Sequence, residues 1–245
     1  MNTPASSRQH QVTLRQRMEI AERTMAFQFE KPSGFTFRPG QYLDVTLINP
    51  AETDVEGNIR TFSIASAPHE ETLMVATRLR DTAFKRTLAA LSPGAEVLID
   101  SPGGSFTLHN NAARTAVFIV GGIGVTPVRS MLVAAAHEHL PHRVLMLYLN
   151  RRPQDAAFLD ELTGLQASNP NFRLVPVMTA VAEAGPGPGE HGPFTAEVLR
   201  THTTDAVSPV YYVVGPPGMV NGVHGLLNGI GVDDDDIRLE DFGGY

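Results

Sequence analysis

Residues 117–132 read VFIVGGIGVTPVRSML. An unbroken apolar run leads into three glycines, Gly121, Gly122 and Gly124, and then into a segment with helical spacing. Such a run is what a strand buried on both faces looks like, and glycines at its end allow a tight backbone and the close approach of a ligand. The helix that follows offers unpaired N–H groups and a positive dipole end to a pyrophosphate. The spacing differs from G-x-G-x-x-G, so the glycines gain meaning from the strand before them and the helix after them. Read alone, they also fit a strand-to-helix turn that binds nothing.

Outward from this junction, the second half of the chain alternates strands and helices. RVLMLYLN, FRLVPVMT, VYYVVG and IRLE read as strands, and TPVRSMLVAAAHEH, QDAAFLDELTGLQ, FTAEVLRTH and PPGMVNGVHGLLNGI as helices. That rhythm predicts an α/β doubly wound parallel sheet. VVGPPGMVNG is a second strand-to-helix junction, with proline where a helix has no N–H to satisfy, and ligands of such sheets lie beyond the carboxyl ends of the strands. The first half instead carries short β-rich runs separated by Pro and Gly, which predict an antiparallel β-barrel with one helix, AFKRTLAAL, placing Phe84, Leu88 and Leu91 on one face. The expected fold is therefore two-domain, an N-terminal barrel over 8–110 and a C-terminal α/β domain over 111–245, with the boundary in the polar stretch LHNNAART.

Composition narrows the function. The formal net charge is -7, and residues 111–245 carry 14 acidic against 8 basic side chains; this argues against nucleic acid as a partner. The run DDDD at 233–236 reads as a solvated turn before a strand rather than a metal site. No run of about 18 apolar residues predicts a membrane span. The first 17 residues lack the apolar core of a secretory signal, so the expected location is cytoplasmic. The absence of cysteine excludes disulfides, a thiolate nucleophile and a cysteine-ligated iron–sulfur cluster within these residues.

Four motifs in order, RTFSIASAP from Arg60, GGIGVTP from Gly121, GPPGM from Gly215 and EDFGGY from Glu240, resemble the ferredoxin-NADP reductase family of flavoenzymes over nearly the whole chain. The resemblance implies that the barrel holds FAD, with Arg60 on the pyrophosphate, Ser63 near flavin N5, and Phe62 where the family has tyrosine. Phe84, Lys85 and Arg86 match the segment that meets the flavin phosphate, and Thr77 and Arg78 are assigned to the same flavin-binding set. Lys85 and Arg86, with Arg78 and Arg80, also read as a docking face for an acidic partner.

In the α/β domain the resemblance assigns Gly121, Gly122 and Gly124 to the pyrophosphate of NADP(H), Thr126 to the nicotinamide, and Gly215, Pro216 and Met219 to the second junction. Val214 stands where the family commonly has cysteine. Arg151 and Arg152, after Asn150 at a strand end, favour NADPH, with NAD(H) possible. Tyr245 is expected to stack on the isoalloxazine, with Glu240 and Phe242 beside it and Gly243 and Gly244 as a hinge. The implied catalytic set is Ser63, Thr126, Glu240 and Tyr245. The implied activity passes a hydride from NADPH to FAD and then electrons to a separate acceptor, expected to be ferredoxin or flavodoxin. Alternatives are reduction of free flavin, ferric iron, a quinone or an oxygenase component, or a flavin-binding sensor without turnover. Oligomeric state is not legible.

Overall fold

A computed structural model describes residues 9–180 and 189–243. Six antiparallel strands form the first sheet: β1 (His10–Ala21), β2 (Thr24–Glu30), β3 (Tyr42–Leu47), β4 (Ile59–Ser63), β5 (Thr72–Arg78) and β6 (Glu96–Ile99), in the order β4-β3-β6-β1-β2-β5. The ends of this order meet where Ala65 N–H donates to Met74 O at 2.7 Å and Met74 N–H donates to Ser66 Oγ at 3.0 Å, so the sheet closes into a barrel and loses its open edges. Inward-facing residues such as Leu14, Phe27, Phe29, Leu43, Val45 and Val75 fill it. Helix α1 (Ala83–Ala90) plugs one end with Phe84 and Leu88, and Leu91 packs against the same core. Thr82 caps this helix by accepting from Lys85 N–H, and Ser92-Pro93-Gly94 follows its end.

The second sheet is parallel, with β7 (Ala116–Gly121), β8 (Val144–Asn150), β9 (Phe172–Met178), β10 (Glu190–His191), β11 (Val210–Gly215) and β12 (Ile237–Asp241) in the order β10-β9-β8-β7-β11-β12. β7, β8 and β11 are buried along their full length, as a central strand covered on both faces must be. The connecting helices are α2 (Val125–His137), α3 (Leu159–Ser168), α4 (Ala196–Thr203) and α5 (Pro217–Gly229). One face of the sheet shares a core with the outside of the barrel, where Met74 and Ala76 of β5 and Phe106 join Phe118, Tyr148 and Tyr212. The other packs with Leu199 of α4 and with Val220, Val223 and Leu227 of α5.

Two details differ from the sequence reading, and the acidic run agrees with it as a solvated turn before a strand. The helix expected from Gln154 starts only at Leu159: a 3-10 turn over Pro153–Asp155 and left-handed backbone at Phe158 come first, and the buried Asp155 carboxylate is drawn to Arg152 and Arg78. The short strand β10 was not foreseen. The acidic run forms a 3-10 turn, Asp234–Asp236, capped by Asp233, in which Asp234 meets His224 and Asp236 meets Arg114.

The chain leaves β7 toward β8 on one side and reaches β11 on the other, so β7 and β11 flank the topological switch point where an open α/β sheet binds ligands. A Cβ on Gly124 would lie 2.6 Å from Val214 O and 2.9 Å from Gly215 Cα. Gly124→Ala should therefore destabilise the protein by about 1–3 kcal/mol through overpacking. Gly222→Ala, inside α5 with open space around it, should stabilise it by up to about 1 kcal/mol. Urea denaturation of the two variants checks both signs.

Candidate functional site

A cleft of about 810 Å³ lies between the barrel and the carboxyl end of the parallel sheet. One wall is β4, where Arg60, Thr61, Phe62 and Ser63 all face the space, continued by Thr77 of β5 and by Thr82 and Lys85 at the start of α1. The opposite wall carries Thr126 of α2 and the end of β12, with Glu240, Phe242 and Gly243. Two motifs 177 positions apart thus meet: Ser63 Oγ and Glu240 Oε1 are 3.4 Å apart. Burial pushes the Glu240 carboxyl up to about 7, against the lowering effect of Ser63 and with a small addition from Asp241. At neutral pH it therefore exists as acid and as carboxylate in comparable amounts, the condition for moving a proton.

The lower part of the barrel wall is an anion seat. Asp54 accepts from Arg60 Nη2 at 3.2 Å and from Ala83 N–H, the first residue of α1, at 3.2 Å. Partial desolvation of Asp54 is outweighed by bonds from Glu56 N–H, Arg60 and Ala83 N–H, so its carboxyl stays below the usual range. A carboxylate held between a helix N-terminus and a guanidinium shows that this end of the wall favours negative charge. Arg60 is fixed there by Glu56 O, Gly57 O and Ile59 O and by its position over the Phe84 ring. Lys85 stands beside it, drawn down to about 8 by burial and by repulsion from Arg80 and Arg60.

Other expected residues sit elsewhere. Phe84 lies inside the barrel with its ring 5.9 Å from that of Phe62, so it backs the cleft wall instead of lining it. Arg86 faces away from the cleft and is gripped by Glu52 and Asp81. Arg78 reaches across to Asp155 of the α/β domain. Gly121, Gly122, Gly124, Gly215, Pro216 and Met219 gather at the switch point; Met219 and Pro216 crowd Gly121, and Gly215 O accepts from Phe242 N–H, which joins this rim to the cleft. Arg152 is engaged by Asp155 and by Glu22 of the barrel, and Arg151 is exposed at the end of β8. Tyr245 and Gly244 lie outside the described residues.

Sequence reading missed Tyr42, whose ring lies in the cleft against the Gly103-Gly104 backbone, where a Cβ on Gly104 would come within 2.8 Å of it. Paired glycines beside a strand are a signal of such close approach. It also missed Phe106 and the helix-capping Thr82.

Residues 118–225 match the family model described as the oxidoreductase NAD-binding domain. The chain is 29% identical over 229 residues to a flavohemoprotein of Rhodopirellula baltica, covering 84% of this chain and 53% of that protein. It is 28% identical over 225 residues to the glycine betaine monooxygenase reductase subunit of Chromohalobacter salexigens, covering 90% and 60%. The fold matches that of a ferredoxin NADP+ reductase from Neisseria gonorrhoeae, solved with bound FAD and NADP, at a TM-score of 0.79 and 21% identity over 95% of this chain and 98% of that one. These likenesses support the ferredoxin-NADP reductase-like family for this chain, and residues 118–225 match an oxidoreductase NAD-binding domain. The family's two-domain fold is present, a barrel followed by an α/β nucleotide-binding domain. The chain spans 53% and 60% of the two curated relatives. Among the described residues, no helix is long and apolar enough to cross a membrane.

The raised Glu240 carboxyl carries a pH signature. The folded protein binds this proton more tightly than the unfolded chain, so its contribution to stability is complete below the ordinary carboxylate value of 4.5 and is lost as pH rises toward 7. In flavin-free protein, Glu240→Gln should remove this slope and raise stability at pH 8 by about 1–2 kcal/mol relative to the parent. Denaturation midpoints at pH 5 and pH 8 measure it.

Proposed function

We propose that this chain is an NAD(P)H-dependent flavin oxidoreductase that passes electrons to an acceptor outside these 245 residues. The observation that carries the reading is the meeting of Ser63 and Glu240 across a cleft whose other end is an anion seat. The residues suit FAD. Arg60, Lys85 and the first turn of α1 would hold its phosphates, the β4 backbone with Phe62 and Ser63 would face its ring system, and the glycines of the switch point would admit a nucleotide pyrophosphate. Bound there, FAD would supply hydride acceptance from NAD(P)H and release of electrons one at a time.

The chain's own residues orient and protect. Ser63 Oγ donates to Glu240 Oε1 when the carboxyl is ionised, and the neutral carboxyl donates in turn, so the pair can hold a proton beside the ring edge without a cysteine. Thr126 approaches from α2, where its hydroxyl is tied to Ile123 O at 3.1 Å. The division of labour we propose puts the flavin on residues 8–110 and the nucleotide on 111–245, with Tyr245 closing over the ring.

The acceptor expected from sequence was ferredoxin or flavodoxin. Similarity to an oxygenase reductase subunit supports a redox protein that feeds an oxygenase as a further acceptor. The absence of cysteine means that any cysteine-ligated cluster in the relay lies outside this stretch of chain.

Purified protein should be yellow, release FAD on denaturation, and bleach within seconds of anaerobic mixing with NADPH or NADH. Colourless protein that refuses added FAD, or flavin that stays oxidised with both nucleotides, overturns the reading. Arg60→Ala should weaken FAD binding at least about tenfold, or about 1.4 kcal/mol, as measured by flavin fluorescence titration.

A further inference from the structure

Helix α2 lies along the loop that closes the barrel, and the seam is polar. Arg129 is 4% exposed. Its Nη1 donates to Ala65 O at 2.7 Å and Glu70 Oε2 at 2.9 Å, its Nη2 to Glu70 Oε1 at 3.0 Å and Glu161 Oε1 at 2.6 Å, and its Nε to Glu161 Oε2 at 2.9 Å. A guanidinium has five N–H bonds, and all are used. The Phe158 ring covers the group, with Cζ 5.2 Å from its centroid. Beside it, Ser130 Oγ donates to Ser66 O at 2.6 Å, and the rings of His69 and His137 stack at 3.7 Å.

The position of this knot gives it a use. Ala65 follows Ser63 by two residues, and Arg129 follows Thr126 by one turn of α2. Ser63 and Thr126 both line the cleft, on opposite walls. We propose that Arg129 is a positioning residue for the reaction in the cleft: it locks the first turn of α2 to the end of β4, so that the nucleotide-side and flavin-side walls keep one spacing. Glu70, from the barrel, and Glu161, from α3, aim the guanidinium by two bidentate forks, which a lysine with three N–H bonds cannot reproduce. Reacting atoms must approach to about 3–3.5 Å, and a misplacement of about 1 Å costs up to 10²-fold in rate.

This inference rests on the oxidoreductase reading, and the test separates the two. Because the chain has no cysteine, exposed Glu96 of the barrel and Glu197 of α4 can each be replaced by cysteine and spin-labelled. The pair should report one narrow interdomain distance in the parent, a broad distribution with Arg129→Met, and an intermediate one with Arg129→Lys. In stopped flow at saturating nucleotide, flavin reduction should slow at least tenfold in Arg129→Met with FAD content retained, and the long-wavelength band of stacked nicotinamide and flavin should weaken. Arg129→Lys should restore part of both. If Arg129→Met fails to fold, Arg129→Lys and Glu161→Gln carry the same comparison. Folded, flavin-loaded variants with parental rate, band and distance distribution would overturn the proposal, even if their melting temperature falls. A parent that neither nucleotide reduces would sink the oxidoreductase reading, while the distance measurement would still judge the lock.

Discussion

At the carboxyl ends of β7 and β11 two backbones pass so closely that no side chain fits between them. Gly121, Gly124 and Gly215 meet there, and a Cβ on any of them would come within about 3 Å of a neighbouring atom. This contact fixes where α2 starts, and so what every later residue of that helix can reach. Thr126 falls on the cleft wall, Arg129 on the barrel loop and His137 beside His69. A wider junction would turn the helix away and separate the two walls.

The second constraint is the treatment of charge where water is scarce. A buried guanidinium is tolerable because two carboxylates and a carbonyl satisfy every donor, whereas removing one partner from such a group costs about 3–5 kcal/mol. Among the described residues no cation is paired with Glu240, and burial holds its proton up to about 7. One group is frozen as an ion and the other is left able to change state. The first suits a scaffold and the second suits chemistry.

Much of this was legible in the sequence because its causes are local. The apolar run before Gly121 reads as a strand buried on both faces, and β7 is one, because cover on both sides leaves no polar alternation. The motif order carried the resemblance. Interactions between distant segments were not legible: Arg129 lies 59 positions from Glu70 and 32 from Glu161, and no periodicity announces such pairs. Arg86 looked like its neighbour Lys85, yet one step along a helix turns a side chain by about 100°, which sends Arg86 to Glu52 and leaves Lys85 on the cleft. The late start of α3 depends on Asp155 being captured by Arg78 of the other domain, a tertiary pull that overrides local helix preference.

Asp54, resting between Arg60 and the first turn of α1, has a consequence for how this wall would take up an anion. On the proposed reading, loading a phosphate there would exchange one anion for another, the loop carboxylate giving way to the newcomer. Asp54 compensates Arg60, so the pair neither repels its own surroundings nor attracts stray polyanions. Uptake should accordingly depend less steeply on ionic strength than it would for a bare cationic pocket, since few counterions are displaced in the trade.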